Sequence, residues 1–225
     1  MMRRHRVVVF DLEDTLYREI DFLKSGYRCV AQLLNNVKPS ITCEDFYDAL
    51  WSVYQQGGNP FEETIKNYRF MADAKVWMLD VYRNHIPSIS LKEGVVEVLE
   101  ELKNQGVTMG VITDGRQSTQ MNKIKTLGLM NYIDEDDIVI NVCPERMKPD
   151  TRSFQFYEKK YGMGCSFAYV GDNPKKDFFA PNCLGWKTIC LLDDGSNIHH
   201  QDFTLDEKFM PTYKIYHLKE ILNYV

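Results

Sequence analysis

Val7-Val8-Val9-Phe10-Asp11-Leu12-Glu13-Asp14-Thr15-Leu16 is the stretch of the chain that predicts its fold most directly. It begins with uncharged, mostly β-branched residues, which predict a strand buried on both faces of a sheet. The apolar run stops at Asp11, and three more polar residues follow within four positions. Open α/β sheets bind ligands at the carboxyl ends of their strands. Asp and Thr also form ordinary turns after strands, so the later partners of this stretch decide between a site and a turn.

The composition is that of a globular protein with a sizeable core, with 44% hydrophobic and 26% charged residues in a chain of 225. A net charge of −5 argues against a surface that binds nucleic acid. The N-terminal apolar run is too short for a signal peptide, and no later run could span a bilayer. We therefore expect a cytoplasmic protein with neither a membrane nor a nucleic-acid polymer as partner. The six cysteines form no CxxC pair, and His199-His200 lies in a polar stretch that predicts a solvated loop.

Residues 17–87 have a helical pattern, because aromatic and aliphatic side chains recur there at three- and four-residue spacing. Gly57-Gly58-Asn59-Pro60 interrupts this pattern near its middle. We predict an α-helical cap of about four helices, inserted after the first strand. Trp51 and Trp77 would either line a substrate pocket or belong to a small core of the insertion itself.

After Pro87 the sequence alternates between strand-like and helical segments. Strands are predicted at 107–113, 138–141, 168–170 and 188–192, with a short strand near 213–216 and a final helix. This alternation predicts an α/β fold, a Rossmann-like parallel sheet with helices on both faces, formed by residues 1–16 and 88–225. The loops after parallel strands share one edge of the sheet, so Asp11, Thr113, Lys148 and Asp172 are expected to meet there.

The predicted cluster has the chemistry of a phosphoryl-transfer site. Asp11, Asp172 and Asp177 would form an all-oxygen site suited to Mg²⁺. Lys148 would add a fixed positive charge, and Thr113 with nearby backbone N–H groups would supply hydrogen-bond donors. The sequence contains no GxxxxGK[ST] loop, and no Ser or Cys lies in a nucleophile context. A carboxylate is therefore the natural attacking group.

Over nearly its whole length the sequence resembles the haloacid dehalogenase (HAD) superfamily of hydrolases with an aspartyl nucleophile. Phe10–Leu16 is similar to the first motif, DxDx[TV], and residues 112–115 (ITDG) are similar to the second. The third motif has its counterpart in residues 148–150 (KPD), and the GDxxxxD motif in residues 171–177 (GDNPKKD). Each motif is weak alone, but all four occur in order behind a predicted strand or in the expected loop.

The resemblance implies roles for the polar residues of the site. Asp11 would be the nucleophile. Thr113 and Lys148, together with Asp114 and Gly115 of the second motif, would bind the substrate phosphate. Lys148 would also stabilise the charge on Asp11 and on the transferring group.

The resemblance also implies a Mg²⁺ cofactor. Asp11, Asp172 and the backbone carbonyl of Glu13 would be ligands, and Asp177 would bind the ion or orient its waters. The helical insertion corresponds to the family's C1 cap, which sets specificity.

The sequence departs from the family pattern at Glu13, where phosphatases of the superfamily carry an aspartate that acts as acid and base. One extra methylene moves the carboxylate by about 1 to 1.5 Å, a misplacement that can cost on the order of a hundredfold in rate. Glu13 could still serve as acid and base if burial near other carboxylates raised its pKa.

We therefore expect a Mg²⁺-dependent phosphomonoester hydrolase that acts on a small phosphorylated metabolite through an aspartyl-phosphate. One alternative is a catalytically impaired relative that binds a phosphorylated ligand without efficient turnover. A dehalogenase, a phosphonate-cleaving enzyme or a protein that has kept only the fold would be further alternatives. The oligomeric state is not predicted.

Overall fold

A computed structural model describes residues 4–162 and 164–225 of the chain. The chain divides into two compact units, one formed by Met1–Glu19 with Ser90–Val225 and the other by Ile20–Ile89. The boundaries predicted from the sequence, after residues 16 and 87, lie within three residues of these divisions.

The first unit contains one six-stranded parallel sheet. Its strands are β1 (Arg6–Phe10), β2 (Thr108–Asp114), β3 (Ile138–Asn141), β4 (Ser166–Gly171), β5 (Lys187–Leu191) and β6 (Tyr213–Ile215). They lie in the order β3-β2-β1-β4-β5-β6, and every neighbouring pair is parallel. The order reverses direction at β1, which pairs with both β2 and β4. This is the doubly wound arrangement, in which the crevice beyond the carboxyl ends of the strands at the reversal is the usual ligand site.

The central strands are apolar because both of their faces are covered. Val7, Val9, Ile112 and Tyr169 are fully buried in one core cluster together with Phe154 of the helix that follows β3. The helices of this unit are α5 (Val95–Asn104), α6 (Gln117–Thr126), α7 (Arg152–Tyr161), α8 (Pro174–Asp177) and α9 (Phe179–Cys183). A sequence whose buried strands alternate with amphipathic helices can cover both faces of the sheet in this way.

The predicted final helix is the one element that differs in kind. Residues Leu218–Asn223 form a 3₁₀ helix instead of an α-helix. Glu220 accepts the backbone N–H groups of Tyr216 and His217, at 2.9 and 2.8 Å, which fixes the start of this turn. The segment has six residues, and such a short segment can make only one or two turns of either helix.

The second unit consists of four α-helices, as the spacing of its apolar residues predicted. They are α1 (Glu19–Val37, which begins in the first unit), α2 (Cys43–Gln55), α3 (Pro60–Tyr68) and α4 (Ala74–Asn84). Thr42 and Asp45 form a capping box at the start of α2. Asn59 caps α3 through a hydrogen bond to the N–H of Glu62, which explains the predicted break before Pro60.

The aromatic residues of the helical unit mainly build its own core. Tyr27, Phe46 and Leu50 lie in one buried cluster, and Trp51 and Trp77 pack against it. Of the two roles considered for these tryptophans, the contacts therefore support core packing. Among the described residues, no helix has the length and apolar composition needed to cross a membrane.

Candidate active site

The carboxyl ends of β1 and β4 bring three aspartates together. Asp11 follows β1 and Asp172 follows β4, while Asp177 ends α8 one turn later. One carboxylate oxygen from each of the three lies within 4.8 Å of the others, and all three residues are buried. The Asp11 N–H donates to the carbonyl of Val170 at 2.8 Å, so pairing between the strands continues up to the site. Asp11 and Asp172, two of the four residues predicted to meet at the sheet edge, therefore lie close together.

Asp177 is held tightly by backbone donors. Its Oδ2 accepts the N–H groups of Asp172, at 3.1 Å, and Asn173, at 2.8 Å. A Cβ at position 171 would lie 2.6 Å from that same oxygen, so Gly171 is the residue that lets the Asp177 side chain approach the strand. This contact gives a physical reason for the glycine at the start of the GDNPKKD segment.

Lys148 lies between two of the carboxylates. Its Nζ donates to Asp11 Oδ1 and, at 2.7 Å, to Asp177 Oδ1, and it also donates to the hydroxyl of Tyr169 at 3.0 Å. Only 4% of its side chain is exposed. Burial opposes the charged form, but the two carboxylates outweigh burial and hold the pKa of Lys148 well above its ordinary value. The lysine is therefore a permanent cation at the site.

The negative charge of the carboxylates is only partly balanced by nearby positive charge. Burial, followed by repulsion from neighbouring carboxylates, raises the pKa of Asp172 well above its ordinary value. Burial likewise raises the pKa of Asp11, and Asp177 and Glu13 add to the effect against the opposing charge of Lys148. The cavity at this site, about 120 Å³ in volume, is lined by seven acidic residues and three lysines. An all-oxygen, excess-negative donor set fits a hard divalent cation.

Glu13 is surrounded by hydrogen-bond donors, not by the other carboxylates that would raise its pKa. Its side chain accepts hydrogen bonds from Lys123 Nζ at 2.6 Å, Gln120 Nε2 at 2.9 Å and Thr113 Oγ1 at 2.9 Å. The Tyr17 hydroxyl adds a longer contact of 3.4 Å. Burial alone would raise the pKa of Glu13, but Lys123 and these hydrogen bonds outweigh it and lower the pKa below its ordinary value. The pKa of Glu13 is therefore not raised, contrary to the possibility considered from the sequence. The sequence analysis did not identify Lys123 as a partner of Glu13.

The residues of the second motif lie beside these groups, and their polar atoms already make hydrogen bonds within the protein. The Thr113 hydroxyl, which is fully buried, contacts Glu13 and also accepts from Gln120 at 2.5 Å. Asp114 accepts the backbone N–H of Lys148 and the side-chain amide of Asn141, and Gly115 donates its N–H to the Asn141 carbonyl at 3.0 Å. Phosphate binding by Thr113, Asp114 and Gly115 stays a prediction, since the site would have to exchange some of these bonds for a ligand.

Asp14 and Glu19 both line the cavity, and the N–H of Glu19 donates to Asp14 Oδ1. Asp14 has a positive φ of 52° and accepts the N–H groups of Glu19 and Ile198, so it orders the turn after β1. Glu19 lines the cavity, and burial raises its pKa to about 7. His199 Nε2 lies 4.0 Å from Glu19 Oε2. His199 is exposed, as predicted for a solvated loop, and it also lines the cavity.

Several residues of the site were not indicated by the sequence. Gln120 and Lys123 are three positions apart on α6, which places both on one face of that helix. A lysine at this spacing is ordinary on a helix surface, and only its burial distinguishes it. The amide side chains of Asn197 and Gln201 reach Asp172 from the loop after β5, a stretch whose polar composition predicts nothing beyond a loop.

Comparison with known proteins identifies the family of the chain. A model of the haloacid dehalogenase-like hydrolase family matches residues 8–191. A glyceraldehyde 3-phosphate phosphatase from Methanocaldococcus jannaschii is 26% identical over 211 residues, covering 88% of this chain and 92% of the relative. A second one, from Methanothermobacter thermautotrophicus, is 24% identical over 230 residues, with coverage of 96% and 99%.

A solved structure supports the fold independently. YfnB of Bacillus subtilis, a HAD-hydrolase structure with bound magnesium, superimposes with a TM-score of 0.65 at 18% identity, and the match covers 99% of both chains. This likeness confirms the predicted α/β fold with its parallel sheet. Because the family match spans both the strands and the motifs at their ends, the chain belongs to the haloacid dehalogenase-like hydrolase family.

Proposed function

We propose that this protein is a Mg²⁺-dependent phosphomonoester hydrolase that works through an aspartyl-phosphate on Asp11. The observation that carries the proposal is the buried cluster of Asp11, Asp172 and Asp177 around Lys148. A phosphate ester brings further negative charge into a site that is already excessively negative. The site can accept the ester only with a cation beside these carboxylates, and Lys148 alone does not supply enough charge.

The reaction balances with the residues at hand. A carboxylate oxygen of Asp11 attacks phosphorus, the ester P–O bond breaks, and the leaving oxygen takes a proton from Glu13 in its protonated form. Ionised Glu13 then removes a proton from a water that attacks phosphorus. The bond between phosphorus and Asp11 breaks, and inorganic phosphate leaves. Lys148 neutralises charge on Asp11 and on the transferring group.

Asp11, Asp172 and the backbone carbonyl of Glu13 would hold the ion. The Glu13 carbonyl accepts the N–H of Thr15 at 2.6 Å, and its second lone pair leaves room for a further bond. Asp177 uses both of its oxygens for Lys148 and for backbone N–H groups, so it would act through the ion's waters. When bound, Mg²⁺ would neutralise phosphoryl oxygens.

We propose a small phosphorylated metabolite as substrate. The relatives named as glyceraldehyde 3-phosphate phosphatases match nearly the full chain, which supports a short phosphorylated sugar or acid. The helical unit, residues Ile20–Ile89, would serve as the cap that selects among such esters. Its role, the cytoplasmic location and the exclusion of a nucleic-acid polymer and a membrane stay predictions.

A second candidate is a protein that binds the phosphorylated ligand but turns it over slowly. The contacts of Glu13 favour it, because a carboxylate paired with Lys123 and lowered in pKa is rarely protonated at neutral pH. Such a group is a weak acid for the leaving oxygen, although it remains available as a base.

The test is phosphate release from a panel of small phosphate esters and an aryl phosphate, with Mg²⁺ and with EDTA. The native protein should release phosphate only with Mg²⁺, and Asp11→Asn should reduce the rate at least about a thousandfold. Asp134→Asn, a change at an exposed aspartate remote from the motifs, is the matched control. Ligand-dependent thermal stabilisation without product would favour the second candidate, and release that persists in Asp11→Asn would contradict the first.

A further inference from the structure

The loop after β5 is fastened to the acidic cluster by two amide side chains. Gln201 Nε2 donates to the carbonyls of Asp172, at 2.7 Å, and Leu191, at 2.8 Å, and Gln201 Oε1 accepts the N–H of Asp193 at 3.0 Å. Gln201 is buried, so these bonds close the loop over the end of the strand. Four residues earlier, Asn197 Nδ2 donates to Asp172 Oδ2 at 2.9 Å.

Asn197 holds one carboxylate of the acidic cluster through this hydrogen bond. A carboxylate that binds a cation is ionised and can only accept hydrogen bonds, so in that state the NH₂ group of Asn197 must face Asp172. The donation restrains the Asp172 side chain and partly offsets its negative charge. The backbone of the loop is restrained as well, since the N–H of Ile198 donates to Asp14 Oδ2 at 3.0 Å.

The other end of the same amide is unsatisfied. Asn197 Oδ1 is buried and has no hydrogen-bond partner among the described residues. It lies about 2.3 Å from Nδ2 by amide geometry, and therefore within roughly 5 Å of Asp172 Oδ2. A buried carbonyl oxygen without a donor destabilises the structure that holds it. Such an atom beside a candidate metal ligand indicates a donor that arrives with a bound species.

We propose that Asn197 is a positioning residue of the metal centre: its NH₂ group fixes Asp172, and its Oδ1 accepts a hydrogen bond from water carried by the ion. This inference rests on the proposed function only in requiring that the acidic cluster binds a divalent cation. It adds to the four motifs a residue from the loop after β5.

The loop after β5 would act on the metal centre through Asn197. Water on a divalent cation is a strong hydrogen-bond donor, and partners of this kind orient the ligands of metal sites. Removing such a partner typically weakens metal affinity by 10- to 100-fold. Gln201 would keep the loop in place when the Asn197 side chain is changed, because its three hydrogen bonds are independent of Asn197.

The test compares Mg²⁺ binding to the whole protein and to Asn197→Ala by isothermal titration calorimetry, with thermal unfolding in EDTA measured in parallel. Ser196→Ala is the matched control, since its hydroxyl contacts Asp194 in the same loop and not the acidic cluster. We expect the Kd for Mg²⁺ to rise roughly 10- to 100-fold in Asn197→Ala and to stay within about twofold in Ser196→Ala. In EDTA, all three proteins should unfold at similar temperatures.

Asn197→Asp provides a second, opposite test. A carboxylate beside Asp172 adds repulsion, so this variant should unfold at a lower temperature in EDTA and gain more from Mg²⁺ than the native protein. An unchanged Kd in Asn197→Ala, or an equal loss of stability with and without Mg²⁺, would overturn the inference. If the native protein itself bound no Mg²⁺, the proposed function would fail with it, whereas native binding with an unaffected Asn197→Ala would refute the role of Asn197 alone.

Discussion

Two buried lysines, one on each side of the site, make opposite electrostatic environments. Lys148 is shared between two carboxylates, Asp11 and Asp177, whereas Lys123 pairs with Glu13 alone. The side chains of both lysines are nearly inaccessible, with 4% and 6% exposed. The pKa of Asp11 is nevertheless raised by burial and by its carboxylate neighbours, while that of Glu13 is lowered by Lys123.

Burial raises the pKa of both carboxyl groups, and the net shifts differ in direction because Glu13 has a lysine and further hydrogen-bond donors to itself, whereas Asp11 shares its lysine with Asp177. The side around Lys148 is short of positive charge and suits a cation. The side around Lys123 is balanced by one ion pair and three further hydrogen-bond donors, and it keeps Glu13 ionised. Replacing either lysine alters one side and leaves the other as an internal reference.

Lys148→Met is expected to have the largest effect. It leaves Asp11 and Asp177 without their buried cation, which should destabilise the fold by about 3–5 kcal/mol and reduce phosphate release on the order of a thousandfold. Urea unfolding and phosphate release measure the two effects. Lys125→Met, at an exposed lysine, is the matched control. Activity within tenfold of the native protein would show that Lys148 has no role in charge stabilisation.

Lys123→Met should have a smaller and pH-dependent effect. Without the ammonium, burial raises the pKa of Glu13, so more of Glu13 is protonated at neutral pH and kcat/KM, which reports the protonation of the leaving oxygen, should rise by up to about tenfold. This gain should disappear as the pH is raised, since deprotonation removes the acid. Lys125→Met on the same helix controls for loss of a lysine. A uniform loss of activity at every pH would mean that Lys123 acts on something other than the titration of Glu13.

The stability of the metal-free protein should fall between pH 5 and pH 8. A carboxyl group whose folded pKa is raised contributes stability that is fully present below its unfolded pKa and is lost as the pH rises through the folded pKa. Asp11 and Asp172, with an unfolded pKa near 3.8, follow this rule. Glu13 has the opposite sign, but its contribution is lost only as the pH falls below about 4.5.

Thermal unfolding in EDTA at several pH values measures this dependence. Each kcal/mol lost should lower Tm by roughly 2–4 °C, and Mg²⁺ should restore more stability at pH 8 than at pH 5. A Tm in EDTA that rises from pH 5 to pH 8 would contradict the raised pKa values.

Glu19→Gln is expected to have the smallest effect. Because the pKa of Glu19 is raised to about 7, its stabilising contribution is lost as the pH rises from about 4.5 through 7. The variant should therefore be more stable than the native protein at pH 8, by about 1–2 kcal/mol, with little difference at pH 4. Urea unfolding at both pH values provides the measurement, and Glu135→Gln, at an exposed position, provides the control. Equal stability of Glu19→Gln and the native protein at pH 8 would place Glu19 in solvent.

The sequence predicted the parts of the site that the backbone fixes. Asp11 and Asp172 follow buried strands directly, so the sheet order alone brings them together, and Asp177 follows at one helical turn. The helical unit was also predictable, since its apolar spacing is regular and Asn59-Pro60 marks a helix start.

The environment of Glu13 depends on side-chain contacts across 110 residues and on the rotation of α6, which no local pattern reveals. For the same reason Asn197, in a polar loop, could not be distinguished from its neighbours. The 3₁₀ turn at Leu218–Asn223 was not predictable either, because a segment of six residues is too short to carry a periodic signal.

Trapping the phosphoryl group on Asp11 tests the aspartyl-phosphate mechanism most directly. The protein is mixed with an aryl phosphate and Mg²⁺, quenched in acid within the first turnover, digested, and examined by mass spectrometry. We predict that the peptide containing Asp11 gains the mass of one phosphoryl group during turnover in the native protein and in Asp134→Asn, and not in Asp11→Asn. Phosphate release with Asp11 never modified, or with the phosphoryl group on another residue, would contradict the proposed mechanism.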